Sequence, residues 1–289
     1  MNIVFCDIDG TFQDLGGEVP KVNYDAIYAL QNQGDHFVFI SGRGYAQLTE
    51  LMNELDSECD VIFSNGGGYK LVGEPIQYNH CVSMAECERV IAILEERAIF
   101  YHIHTNEGII LKPVENYEMN ILALRQKLES MGETGKQIMD FKEAFFKEQC
   151  QHVKDPFTYL KKHPELKVMK IELMEASDKE HETLRELLSS ESADVFSSFT
   201  QCLEIVDPKS SKGNAINEFM KNYPDARSFG IGDGENDLAM LEVVDIPVAV
   251  GNAKEIVKEQ CQLIIGDCLD GGVGTFIFDE IIRSKKSTL

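Results

Sequence analysis

Two carboxylates stand one residue apart in Asp7-Ile8-Asp9-Gly10-Thr11. In extended chain, alternate side chains share a face, so Asp7 and Asp9 point together and Ile8 points away. Gly10 lets the backbone turn sharply just after them. Paired carboxylates suit a division of labour, with one as nucleophile and one as proton carrier. The same residues also suit a plain turn, because Asp and Gly are turn formers. A calcium loop does not fit: counted from Asp7, the loop position that requires glycine is Phe12. A second acidic group is Gly232-Asp233-Gly234-Glu235-Asn236-Asp237. It lacks the third glycine of a dinucleotide-binding loop, and its acids would repel a pyrophosphate. Set against Asp7 and Asp9, it completes an oxygen-only donor set of the kind that holds Mg²⁺ together with several waters.

Two further segments offer contacts for an anion. Ser41-Gly42-Arg43 presents a hydroxyl and N–H groups at a strand-to-helix junction, which suits phosphate oxygens or serves as an ordinary N-cap. In Ser210-Ser211-Lys212-Gly213, Lys212 opens a helix, where an ammonium beside N–H groups makes an anion clamp. A lone lysine is otherwise a solvated one, so its meaning comes from the carboxylates it accompanies.

These residues need elements that bring them together. Residues 3–6, 37–40 and 61–63 are short apolar runs without polar alternation, as strands covered on both faces require. Helical patterns over 23–34, with Asn23 as N-cap, and over 44–56 separate them. This rhythm predicts parallel strands with right-handed crossovers. It returns near the C-terminus, with strands over 228–232, 246–250 and 262–266 and helices over 212–222, 235–243, 253–260 and 273–283. An open parallel sheet binds ligands beyond the carboxyl ends of its strands. That is where Asp7 and Asp9, Ser41 and Gly42, Ser64-Asn65-Gly66, and Asp233, Asn236 and Asp237 all fall. A packed core would not ask for them, since a buried carboxylate without a partner is costly.

Residues 81–205 interrupt this pattern. They carry charged helical patterns over 84–97, 115–131 and 178–189, and strands with short turns over 100–105, 108–112, 167–174, 193–198 and 202–206. Short turns predict antiparallel pairing. The fold expected is therefore α/β: a doubly wound, mostly parallel, Rossmann-like core of residues 1–80 and 206–289, interrupted by an α+β domain of residues 81–205. Residues 132–166 carry no readable pattern. His102 and His104 share one strand face, but a metal there needs a third ligand the sequence does not name, so a solvated or substrate-facing strand is expected. Phe141, Phe145, Phe146 and Phe157 read as packing of the insert. Lys285-Lys286 is too short a basic run to be more than a solvated tail.

Composition narrows the partners. The 289 residues are 43% apolar and 26% charged, which suits about two globular domains. With 27 basic against 49 acidic residues, the net charge is −22, so nucleic acid and anionic membranes are excluded as partners. An anionic small substrate needs a local cation, which the Mg²⁺ set supplies. No apolar run reaches the length of a membrane span, and the first residues carry no secretory pattern. Eight cysteines without a CxxC spacing read as reduced thiols, so a cytoplasmic setting is expected.

Read together, FCDIDGTF, ISGRG, SSKGNAI and GIGDGENDLAML resemble, in order, the four motifs of the haloacid dehalogenase superfamily. The insert, the fourth motif and SNGG at 64–67 are similar to its Cof-type branch (subfamily IIB), which is mainly Mg²⁺-dependent small-molecule phosphatases with a C2-type cap. The motifs cover the two outer stretches; the cap corresponds by size and pattern only. Phe12 and Ser41 stand where Leu and Thr are commoner in the family, and both keep the chemistry. The resemblance implies that Asp7 forms an aspartyl-phosphate and that Asp9 protonates the leaving group and then activates water. It implies that Asp7, the Asp9 carbonyl and Asp233 hold Mg²⁺ with support from Asp237, and that Ser41, Gly42, Lys212 and Asn236 hold phosphate, with Asn65 beside them. The substrate so implied is a small phosphorylated metabolite, sugar phosphates first. A phosphotransferase or phosphomutase of the same chemistry is the alternative, and a phospho-ligand-binding regulatory protein a more distant one.

Overall fold

The computed structural model describes residues 1–14, 17–55, 58–197 and 201–283. The chain divides into two compact units, Met1–Asn79 with Lys209–Leu289, and His80–Pro208 between them. The strands in chain order are Asn2–Cys6 (β1), His36–Ile40 (β2), Asp60–Phe63 (β3), Gly68–Lys70 (β4), Gln77–Tyr78 (β5), Phe100–Thr105 (β6), Gly108–Leu111 (β7), Gln151–His152 (β8), Val168–Met174 (β9), Asp194–Phe196 (β10), Cys202–Val206 (β11), Arg227–Gly232 (β12), Ile246–Ala249 (β13) and Leu263–Ile264 (β14).

The first unit holds one sheet in the order β14-β13-β12-β1-β2-β3-β4-β5. From β14 to β3 neighbouring strands are parallel; β4 and β5 pair antiparallel at the edge. Helices cover both faces, so β1 and β2 are apolar beyond their first residues, and Ile3, Val4, Phe5, Phe39 and Ile40 are fully buried. The order reverses at β1, where β12 and β2 flank it on either side.

Asn23 does not cap its helix. The helix runs Lys21–Gln31 from Pro20, and Asn23 sits inside its first turn. Its buried amide donates to the Phe12 carbonyl at 2.7 Å and accepts from the Gly274 N–H at 2.8 Å. The residue thus ties the first loop to the helix Gly272–Phe276, instead of closing its own helix. Asn23→Ala should lower stability by about 2–3 kcal/mol, because two buried backbone groups lose their partners. A urea melt checks this, and an unchanged midpoint would contradict it.

Other boundaries differ from the sequence pattern. Residues 235–243 begin as a 3₁₀ turn, Glu235–Asp237, before the helix Leu238–Leu241. The closing helix is α only over Gly272–Phe276 and continues as a π-helix over Ile277–Ile282. The strand expected over 262–266 shrinks to the two residues of β14. Lys285-Lys286 lies outside the described residues.

The second unit is a six-stranded sheet in the order β10-β11-β9-β6-β7-β8, antiparallel except between β7 and β8. One face packs Tyr101, Ile103, Ile171, Leu173, Leu203 and Ile205 against the helices Met84–Glu96 and Asp178–Leu188. On the other, Phe100 and Met174 join a core with Leu124, Leu128, Met139 and Phe146. Residues 132–166 supply the helices Glu133–Glu148 and Pro156–Lys162 and strand β8. Phe146 packs as expected, whereas Phe141 is 58% exposed. His102 and His104 are buried, neither solvated nor open to a substrate, because charged partners on β9 and the helix Glu133–Glu148 enclose them. All eight cysteines are free thiols, five of them buried. Among the described residues, no helix is long and apolar enough to cross a membrane.

Candidate active site

Beyond Cys6 the chain keeps to the sheet for one more residue: the Asp7 N–H donates to the Ile231 carbonyl at 3.0 Å. It then turns, with the Phe12 N–H returning to the Ile8 carbonyl at 2.9 Å. Gly10 makes this turn at φ +83°, and a Cβ there would lie 2.6 Å from an oxygen of Asp233. Conformation and space both require glycine. Ile8 is fully buried, so Asp7 and Asp9 are left on the ligand side.

Asp7 lies at the centre of a buried ionic group. Lys212 Nζ donates to Asp7 Oδ1 at 2.5 Å and to Asp237 Oδ1 at 2.6 Å, and its side chain is wholly enclosed. The lysine is the first residue of the helix Lys212–Met220, whose N-cap Ser211 accepts from the Asn214 N–H. This lysine is therefore not a solvated one. The second oxygen of Asp237 accepts from the N–H groups of Asp233 and Gly234, each at 2.9 Å, which fixes the loop after β12. Thr11 Oγ1 donates to Asp233 Oδ1 at 3.0 Å and joins that loop to the first.

Three carboxylates share this space with one ammonium. Ligand oxygens of Asp7, Asp233 and Asp237 lie within 4.8 Å of one another. Burial, and then the Asp237 charge, push the Asp7 carboxyl well above its ordinary range. The same two causes push Asp233 up to about 7. Burial alone would lower the Lys212 ammonium, but Asp237 and Asp7 hold it above its ordinary value. The pocket is thus short of positive charge. A hard divalent cation on these oxygens would relieve the deficit, and the donor set fits Mg²⁺ chemically.

The remaining predicted residues follow the ends of β1, β2, β3 and β12. The Ser41 N–H donates to the Ile62 carbonyl, and its Oγ accepts from the Arg43 N–H at 3.1 Å. Asn65 and Ser64 adopt left-handed backbone, φ 54° and 50°, which turns the chain sharply off β3. Asn236 Nδ2 donates to Asn65 Oδ1 at 3.2 Å, so these two amides meet. Gly42 lies against the same amide: a Cβ there would approach Asn65 Oδ1 to 3.2 Å. The Asp9 carboxylate stands apart from the three-carboxylate group. Arg43 grips it with two hydrogen bonds, from Nε at 2.8 Å and from Nη2 at 2.5 Å. Sequence reading gave Arg43 and Thr11 no role, although both lie inside the motif segments; only the fold shows which carboxylates they meet.

A family model for haloacid dehalogenase-like hydrolases matches residues 4–277. The phosphatase YwpJ of Bacillus subtilis is 25% identical over 89% of this chain and 92% of its own length. The 5-amino-6-(5-phospho-D-ribitylamino)uracil phosphatase YwtE of the same organism is 24% identical over 99% of both chains. Among solved structures, a haloacid dehalogenase-like hydrolase from B. subtilis superposes with a TM-score of 0.83 at 18% identity, covering 97% of this chain and all of the other. With a match across nearly the whole chain, and a strand-end cluster of acids and a lysine at the reversal of the sheet, the chain belongs to the haloacid dehalogenase-like hydrolase family.

Proposed function

We propose that the protein is a Mg²⁺-dependent phosphatase of small phosphomonoesters and that Asp7 carries the phosphoryl group during turnover. The observation that carries this reading is the placement of Asp7: a strand-end carboxylate joined to a buried lysine and beside two further carboxylates. Asp7, the Asp9 carbonyl and Asp233 would hold Mg²⁺, with Asp237 supporting. When bound, the ion neutralises the carboxylates and the phosphate dianion so that they can approach.

The protein's own residues do the rest. An oxygen of Asp7 attacks phosphorus, the bond to the leaving oxygen breaks, and Asp9 gives that oxygen a proton. The Asp9 carboxylate then takes a proton from water, whose oxygen attacks phosphorus and releases inorganic phosphate from Asp7. Asp9 is held by Arg43 in this structure, so its proton role requires that pair to open. Lys212, Ser41, the N–H of Gly42 and Asn236 hold the phosphate oxygens, and Asn65 orients Asn236. These residues address the phosphoryl group, which all phosphomonoesters share. We therefore assign the choice of leaving group to the inserted unit, as a cap. Sugar and polyol phosphates are the first substrates to test, since the name of YwtE specifies a phosphorylated ribityl compound.

Phosphate release from a panel of phosphorylated metabolites tests this reading. Chelation with EDTA should silence turnover, and excess Mg²⁺ should restore it. Ca²⁺ should restore little, because its longer and looser coordination misplaces the attacking carboxylate. Full activity after exhaustive chelation would contradict the metal assignment.

A further inference from the structure

The sheet of the inserted unit holds a second group of ligating side chains, which the proposed phosphatase chemistry does not use. His102 on β6 lies across from Glu172 on β9, and Glu172 in turn lies across from Glu204 on β11. His104 lies across from Lys170. Residues opposite one another, and residues two apart along a strand, share a sheet face. His102 Nε2 is 3.5 Å from one Glu172 oxygen, and His104 Nε2 is 3.3 Å from the other. Ligand atoms of the three residues lie within 4.8 Å of one another. Each residue is more than nine-tenths buried. Yet His104 Nε2, one of the proposed ligand atoms, makes no hydrogen bond. Buried ring nitrogens without partners are uncommon and call for an explanation.

We infer that His102, His104 and Glu172 form a binding site for a transition-metal ion of the Zn²⁺ class within the inserted unit. Two imidazoles and a carboxylate make a familiar three-ligand zinc set. Zn²⁺ bound at about 2.0–2.1 Å holds its ligand atoms roughly 3.3 Å apart in a tetrahedron. The separations of 3.5 and 3.3 Å, one to each oxygen of Glu172, are close to that edge, so a small rotation of the carboxylate brings one oxygen into the set. Two of the three ligands, His104 and Glu172, are shifted toward the protonation states that a metal requires. Burial, and then Lys170, hold His104 down at about 3, so its ring is neutral. Burial alone would raise Glu172, but Lys170, His102 and Lys142 hold it well below the ordinary range, so it is ionised.

Two cations oppose the ion and must be accounted for. Lys170 Nζ lies 3.1 Å from Glu172 but 2.9 Å from Glu204, which supplies its counter-charge. Lys142, on the helix Glu133–Glu148, stands 3.6 Å from Glu172 with its side chain 19% exposed, so it can turn outward as the ion replaces it. The fourth position is left to water, because Cys202 groups with Glu172 and Glu204 and not with the two histidines.

The test uses the full-length protein, stripped of metal and held in excess Mg²⁺ so that the carboxylate cluster is occupied. Co²⁺ is titrated as the probe, followed by visible absorption, and then displaced with Zn²⁺. Wild type should take up one equivalent of Co²⁺ with tetrahedral d–d bands that Zn²⁺ removes. His104→Gln and Glu172→Gln should bind at least tenfold more weakly and lose the bands, while Asp233→Asn keeps them. Circular dichroism melts without metal establish which variants are folded, and one folded ligand variant suffices. Absence of the bands in wild type, or identical titrations of wild type and a folded ligand variant, would overturn the site.

Discussion

Asp7→Asn should reduce turnover on the order of 10⁴-fold or more, about 5 kcal/mol of barrier, while the protein stays folded. An amide is nearly isosteric with the carboxylate, but it neither attacks phosphorus as well nor gives a stable acyl-phosphate. The shape of the site should survive, because Lys212 keeps its 2.6 Å bond to Asp237 and the loop after β12 is fixed through Asp237, not Asp7. Thermal stability in metal-free buffer at neutral pH should be no lower than that of wild type. The amide escapes the cost that burial and the Asp237 charge impose on the ionised carboxyl. Steady-state kinetics beside a thermal melt check both halves. A folded variant with substantial activity would remove Asp7 from the chemistry.

Lys212→Met should act on stability as strongly as on rate. The wild-type side chain is wholly enclosed and supplies the ammonium bonded to both Asp7 and Asp237. Methionine fills a similar volume but leaves two buried carboxylates without that counter-charge. Breaking a buried pair from one side costs about 3–5 kcal/mol. The loss should be largest in metal-free protein and shrink as Mg²⁺ is added, since a cation on the same carboxylates offsets the missing charge. Turnover should fall roughly 10²–10³-fold even with saturating Mg²⁺, the size expected for one lost charge-stabilising donor. Denaturant melts with and without Mg²⁺ separate the two effects. A stability change under about 1 kcal/mol in metal-free protein would show that the lysine does not hold the cluster together.

The parallel core was legible because its strands carry the simplest signal, unbroken apolar runs covered on both faces. Their ends were legible for the opposite reason: Asp7, Ser41, Asn65 and Asp233 follow such runs at once, where packing alone gives no reason for polar groups. What stayed hidden depended on partners distant in sequence. Asn23 reads as a helix cap until Gly274 folds against it. Arg43 carries no role in the sequence until β1 and β2 bring Asp9 beside it. His102 and His104 alternate with apolar residues as an exposed strand face would, and only pairing with β9 and cover from the helix Glu133–Glu148 enclose them. The helix Glu133–Glu148 was unreadable for a local reason. Gly132 and Gly135 look like breakers, yet Gly132 starts the helix at φ 100°, and Gly135 lets it approach the preceding helix Glu118–Glu129. A Cβ at Gly135 would lie 1.9 Å from the Leu128 carbonyl oxygen. The edge strands β4 and β5 are only three and two residues long, too short for any alternation to show.

The central claim is that the phosphoryl group passes through Asp7. Rapid acid quench of the wild-type enzyme turning over a ³²P-labelled phosphomonoester, followed by proteolysis and peptide mapping, tests it most directly. An acyl-phosphate is stable to acid and cleaved by hydroxylamine. The label should therefore be found on the peptide containing Asp7, disappear with hydroxylamine, and be absent from Asp7→Asn. Turnover without a labelled protein, or a label carried by any other residue, would contradict the account.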